Sequence, residues 1–184
     1  MKYLRGTIDL GIVFQAGDND EDWVLSGCSD ADLAGDLPSS RTTTGYDMKI
    51  GRHGTLVSRC TLERKICSST GQAETYALLG LVKDTEWMRS LLADLGEPQS
   101  SPTKLAVDND GVFKQSKKQI NHTTAKHYRI AHAYIRNSEL DGVSDVGQVN
   151  TEDNRSDMYT KALAARLFVR HRDRTMGPQT PEAL

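Results

Sequence analysis

The 184-residue chain lacks any run of about 18 apolar residues, so no segment reads as a membrane span. Its first residues, Met1–Gly6, hold no apolar signal core, which argues against secretion. Cysteine is scarce: Cys28, Cys60 and Cys67 cannot all pair and show no CxxC spacing. That excludes a disulfide framework and a zinc ribbon, and reads as reduced thiols inside a cell. Charge of one sign is also missing, with 23 Lys+Arg against 25 Asp+Glu and a formal net charge of -2. Total charge therefore gives no argument for nucleic acid. What remains is a chain long enough to bury a core unaided, as one domain or one domain and a tail.

The balance hides a pattern. Between Gly111 and Ser138 stand Lys114, Lys117, Lys118, Lys126, Arg129 and Arg136 with no acid, and with His122, His127 and His132. A second basic stretch carries Lys161, Arg166, Arg170, Arg172 and Arg174. Acids gather instead in Asp18–Asp22 and Asp30–Asp36. Solvated helix faces explain this, and so does a phosphate-tracking surface beside an acidic site.

Pattern along the chain predicts strands at Leu10–Phe14, Trp23–Cys28, Gly45–Ile50 and Thr55–Leu62, the last two joined by Gly51–Gly54. Ser69 and Gln72 have the form of a capping box. They open a long helix in which Ala73, Ala77, Leu78, Leu81, Trp87, Met88, Leu91, Leu92 and Leu95 recur at helical spacing. A strand at Lys104–Val107, a helix at Thr123–Asn137, a weak strand at Val143–Val149 and a basic helix at Asp153–Arg172 follow. Thr175–Leu184, with two prolines, reads as a disordered tail. Strands first and alternation later predict an α/β layer. Its mixed five-stranded sheet is antiparallel through the first three strands, parallel in the additions, and flanked by helices.

Two of these strands lead into aspartates, Asp30 and Asp108. Glu74 shares a helix face with Leu78 and Leu81, and Asp157 is one position from an apolar stripe. Buried carboxylates repel one another unless a cation neutralises them, and oxygen ligands suit Mg²⁺ or Mn²⁺. Each acid also has a plainer role open to it: a turn cap for Asp30 or Asp32, a first-turn acid for Glu74 and Asp157, a turn residue for Asp108. His127 contacts phosphate or simply sits at the surface. The histidines are five apart and share no helix face, and no serine or cysteine triad has a supporting signature.

The motifs in order are more specific. Gly27–Asp36, Arg41–Tyr46, Ser68–Leu78, Val107–Asp110, Lys126–Ile130 with Tyr134–Arg136, and Asn150–Leu163 resemble the ribonuclease H domain of copia-type LTR retrotransposon Pol polyproteins. The likeness covers roughly residues 1–172. It implies Asp30, Glu74, Asp108 and Asp157 as catalytic residues and as ligands of two Mg²⁺ ions, with Mn²⁺ substituting. It implies a ribonuclease H-like α/β fold that cleaves the RNA strand of RNA–DNA hybrids during reverse transcription. Lys114, Lys117, Lys118, Lys126, His127 and Arg129 would bind the nucleic acid. Residues 1–20 would be a remnant of the reverse transcriptase connection, 21–174 the domain, and 175–184 the tail. The partner would be the reverse transcriptase domain of the same polyprotein, absent here, in a cytoplasmic virus-like particle and with no membrane. The alternative is a catalytically idle nucleic-acid-binding remnant of a decayed element.

Overall fold

The computed structural model describes residues 2–14, 23–118 and 126–178. Five strands form one sheet: β1 (Leu25–Asp36), β2 (Arg41–Ile50), β3 (Thr55–Leu62), β4 (Thr103–Val107) and β5 (Ser144–Gln148). Their order is β3-β2-β1-β4-β5. β1–β2 and β2–β3 are antiparallel, whereas β1–β4 and β4–β5 are parallel. This is the mixed sheet that the element order predicts. Around it lie α1 (Lys2–Arg5), α2 (Thr70–Asp94), α3 (Asp110–Lys117), α4 (Lys126–Leu140), α5 (Asp157–Thr160) and α6 (Ala165–Met176).

The α2 start follows its sequence signal. The Ser69 hydroxyl accepts from the Gln72 backbone N–H at 3.2 Å, and the Gln72 side chain accepts from the Ser68 N–H at 2.7 Å. Two otherwise orphaned donors are thus satisfied, one residue out of step with the usual box. Ala73, Ala77, Leu78, Leu81 and Leu92 are buried as their spacing predicts. Trp87 and Leu95 are not, at 58% and 69% exposure.

The sheet has two unlike faces, because successive side chains alternate. Tyr46, Met48 and Ile50 of β2 join Leu25, Leu78, Leu81 and Val82 in the apolar core beneath α2. A Cβ at Gly27 would lie 2.8 Å from Leu81, and one at Gly80 2.8 Å from the Tyr46 ring, so glycines let α2 press onto β1 and β2. The opposite face carries Cys28, Asp30 and Asp47, is polar and buried, and lies under the segment that holds α5.

Four local expectations are corrected, and one further helix is added. Leu10–Phe14 is not a strand; this irregular segment is tied to the chain end by Val13 N–H to Met176 O (2.8 Å). β1 does not stop at Cys28 but continues to Asp36, because residues 29–32 find register partners on β2, Asp30 opposite Gly45 among them. The pairing shifts only between Asp32 and Asp36, where Ala34 takes φ 57. Asp110–Lys117 is a helix, capped by Asn109 accepting from Val112 N–H at 3.1 Å. The expected helix Asp153–Arg172 is broken into a 3₁₀ turn (Thr151–Asp153), α5 and α6, with residues 161–164 between them. No proline or glycine interrupts it; contacts of Thr160 and Lys161 with acids elsewhere override the helical pattern. α6 reaches Met176, so Thr175 and Met176 belong to it and not to a tail. Gly17–Asp22 and residues 123–125 lie outside the described residues.

Candidate active site

Three acids from distant parts of the chain meet at one end of the polar face. Asp30 sits mid-β1, Asp108 follows the last residue of β4, and Asp157 opens α5. One oxygen from each lies within 4.8 Å of the others. Asp30 and Asp157 are each 1% exposed, and Asp108 is half-buried. β1 and β4 are adjacent and parallel, so the topology itself brings Asp30 and Asp108 together. Asp32, the other acid weighed for this strand, is outside the group.

Glu74 approaches from α2 and is 4% exposed. It lies outside the tight group but feels it. Burial first, then the charges of Asp30 and Asp108, push its carboxyl up to about 9, opposed by the Ala31 backbone amide and Lys161. Asp157 is likewise raised to about 7, by burial and then by Asp30. Glu74 Oε2 and Asp157 Oδ1 are buried without a hydrogen-bond partner among the described residues. Buried, mutually repelling, orphaned oxygens are what a divalent cation satisfies, and an all-oxygen donor set fits Mg²⁺ or Mn²⁺. The residues present thus fit such an ion.

Side chains that sequence reasoning missed complete the site. Lys161 Nζ lies 3.1 Å from Asp157 Oδ2 and 3.6 Å from Asp30 Oδ2. The Thr160 hydroxyl donates to Asp30 Oδ2. Both belong to the Asn150–Leu163 motif, but their sequence gives no sign that they face Asp30. The segment is fixed from below. Asn154, fully buried, donates its side-chain amide to the Ser29 carbonyl at 3.0 Å. Arg155 grips Asp47 with a fork, Nε at 3.0 Å and an Nη at 2.7 Å.

The basic candidates fare unevenly. Lys117 is held by Glu139 (2.6 Å) and Asp145 (3.0 Å), and Lys114 by Asp110 (2.5 Å). Lys117 therefore does not offer the free charge expected of it. Lys118 and Arg129 are exposed and form no ion pair with a described residue. The side chains of Lys126 and His127, at the start of α4, lie outside the described residues.

The sheet order, the helix positions and the acids on β1, β4 and α2 define a ribonuclease H-like fold. Among solved structures, that of "LC11-RNase H1" isolated from compost aligns over 74% of this chain and 92% of its own, with TM-score 0.58 and 14% identity. Another of LC11-RNase H1, "in complex with RNA/DNA hybrid", aligns over 74% and 93%, with TM-score 0.55 and 13% identity. No family model matches the chain. Curated relatives are retrovirus-related Pol polyproteins: that from transposon RE2 of Arabidopsis thaliana is 32% identical over 91% of this chain. That from transposon TNT 1-94 of Nicotiana tabacum is 29% identical over the same share. The chain spans 11% and 12% of their lengths. It is a ribonuclease H-fold segment whose homologues are the Pol polyproteins of transposons.

Proposed function

We propose that this segment is the ribonuclease H of a copia-type retrotransposon Pol polyprotein, hydrolysing the RNA strand of RNA–DNA hybrids during reverse transcription. The observation that carries the reading is the convergence of Asp30, Asp108 and Asp157 within 4.8 Å, with buried Glu74 beside them. The Pol polyprotein relatives and the hybrid-bound neighbour support it.

Asp30, Asp108 and Asp157 would hold two Mg²⁺ ions, with Mn²⁺ substituting, and Glu74 would join them. Such ions make an attacking water acidic and stabilise the leaving oxygen of a phosphodiester. The chain's own share is to fix the ligands. Thr160 orients Asp30, and the β1–β4 pairing sets Asp30 against Asp108. Cleavage would leave a 5′-phosphate and a 3′-OH. Lys118 and Arg129, with Lys114, Lys126 and His127, would contact backbone phosphates, giving salt-dependent affinity for hybrid shape.

Residues 21–174 would act as the domain, 1–20 as the connection to a reverse transcriptase partner, in a cytoplasmic particle. Among the described residues no helix is long and apolar enough to cross a membrane.

A second reading draws on Lys161. Its ammonium already neutralises part of the Asp30–Asp157 charge, as an idle nucleic-acid-binding remnant would require. Cleavage of a labelled RNA–DNA hybrid in Mg²⁺ and in Mn²⁺ separates the two. RNA-strand cutting that disappears in Asp108→Asn supports the enzyme. Salt-sensitive binding without cutting supports the remnant, and cutting that survives Asp108→Asn sinks the assignment of the site.

A further inference from the structure

The Asp157 arm has little structure of its own. α5 is four residues long, too short to be stable by itself, and its buried residues are Asp157 and Thr160. Its position must come from ties to the sheet, and two precede Asp157 directly. One is the Asn154 amide on the carbonyl of Ser29, the neighbour of Asp30. The other is the Arg155 fork on Asp47.

Asp47 is fully buried at the centre of β2, opposite Cys28 in the β1–β2 register. Its Oδ1 accepts from Cys28 Sγ at 2.9 Å and Oδ2 from Thr55 Oγ1 at 3.3 Å, beside the two Arg155 bonds. The Cys28 thiol is pushed up by burial and then by Asp47, so it is an inert donor here. A sheet does not need this ion pair for stability. Apolar side chains of similar volume commonly do as well at such a place, whereas a two-point fork fixes orientation as apolar packing does not. Arg155 is two residues before Asp157, and Asp47 is two residues from Gly45, the register partner of Asp30. The pair thus ties one acid's segment to the strand that pairs with the other's.

We propose that the Asp47–Arg155 pair is a positioning device that sets Asp157 against Asp30 and Asp108. Neither residue touches substrate or metal; both act through Asp157. The proposal rests on the metal-dependent reading of the acidic cluster.

Two variants test it: Arg155→Lys, which keeps the charge but loses the fork, and the apolar double variant Asp47→Leu/Arg155→Met. Each is read by thermal melting, by calorimetric titration with Mg²⁺ in the absence of nucleic acid, and by the Mg²⁺ dependence of hybrid cleavage. The double variant should fold, melting at most a few degrees below wild type because the Cys28 thiol and the Thr55 hydroxyl lose their acceptor. It should nonetheless bind Mg²⁺ about tenfold or more weakly, the order of loss when groups that orient a metal ligand are removed. Arg155→Lys should fold and show the same weakening, and it decides alone if the double variant does not fold. Folded variants with wild-type Mg²⁺ affinity and dependence would overturn the positioning role while leaving the site assignment intact. Wild-type protein that neither binds Mg²⁺ nor cuts the hybrid would overturn the site assignment, and the positioning role with it.

Discussion

Gly45 and Thr160 face each other so closely that a Cβ at residue 45 would lie 2.7 Å from Thr160 Cγ2, and 2.9 Å from Tyr159 Cβ. Gly45 is also the register partner of Asp30, and the Thr160 hydroxyl donates to Asp30. The missing side chain at 45 is what lets α5 reach the sheet. Gly45→Ala should therefore lift α5 and its Asp157 away from Asp30. Overpacking of this kind costs about 1–3 kcal/mol. Cleavage of the hybrid should fall at least about tenfold, since small misplacements of a catalytic group are magnified in rate. Melting temperature and cleavage rate, measured together, check it; a folded variant with wild-type rate would show that α5 tolerates displacement.

Asp30, Asp108 and Asp157 repel one another wherever no divalent ion is bound, and Lys161 relieves only part of that repulsion. In EDTA, Asp108→Asn should melt higher than wild type, by about 2–4 °C for each kcal/mol relieved. Added Mg²⁺ should reverse the order. Wild type would gain about 2.7 kcal/mol at a hundredfold excess over its dissociation constant, and the variant much less. Equal Mg²⁺-induced shifts in both proteins would count against Asp108 as a ligand.

Much of this was legible in the chain. α2 announced itself by Ser69 and Gln72 and by its apolar spacing, and Glu74 on that face marked a carboxylate where none belongs. Asp108 sat at the end of a short apolar run that became β4. What local pattern hid was set by distant partners. β1 runs on through Asp30 because β2 pairs with it; read alone, Ser29–Asp32 looks like a turn. The last basic helix is broken because Thr160 and Lys161 answer to Asp30, 130 positions from Thr160 in the chain. The Asp47–Arg155 fork spans 108 positions and leaves no periodic trace. Charge counting also overstated the basic surface, since it could not see that Glu139 and Asp145 occupy Lys117.

That occupation separates the cations. A lysine held by two carboxylates has no net charge to offer a phosphate, and releasing it would leave both acids unpaired. Lys117→Ala should leave hybrid affinity and its salt dependence close to wild type. Lys118→Ala and Arg129→Ala should each lower the slope of log affinity against log salt by about one. Filter binding across a salt series reads both quantities. A large slope change in Lys117→Ala would mean that the ion pairs open when nucleic acid binds.

His132 is 3% exposed, with its Nε2 3.4 Å from Thr75 Oγ1 and its ring set edge-on to Tyr128 at 4.3 Å. Its Nδ1 has no hydrogen-bond partner among the described residues. Burial lowers its pKa from 6.5 to about 4, so the folded protein keeps the ring neutral where the unfolded chain protonates it. Between those two values the unfolded state binds more protons. Stability is therefore full above the unfolded pKa and is lost as pH falls from about 6.5 towards 4. Carboxylates titrate in part of the same range, so the comparison must be made with His132→Phe, which has no proton to gain. Wild type should lose more melting temperature than the variant between pH 7.5 and pH 4.5, whatever their difference at pH 7.5. Parallel losses would mean that burial does not keep the ring neutral in the folded protein.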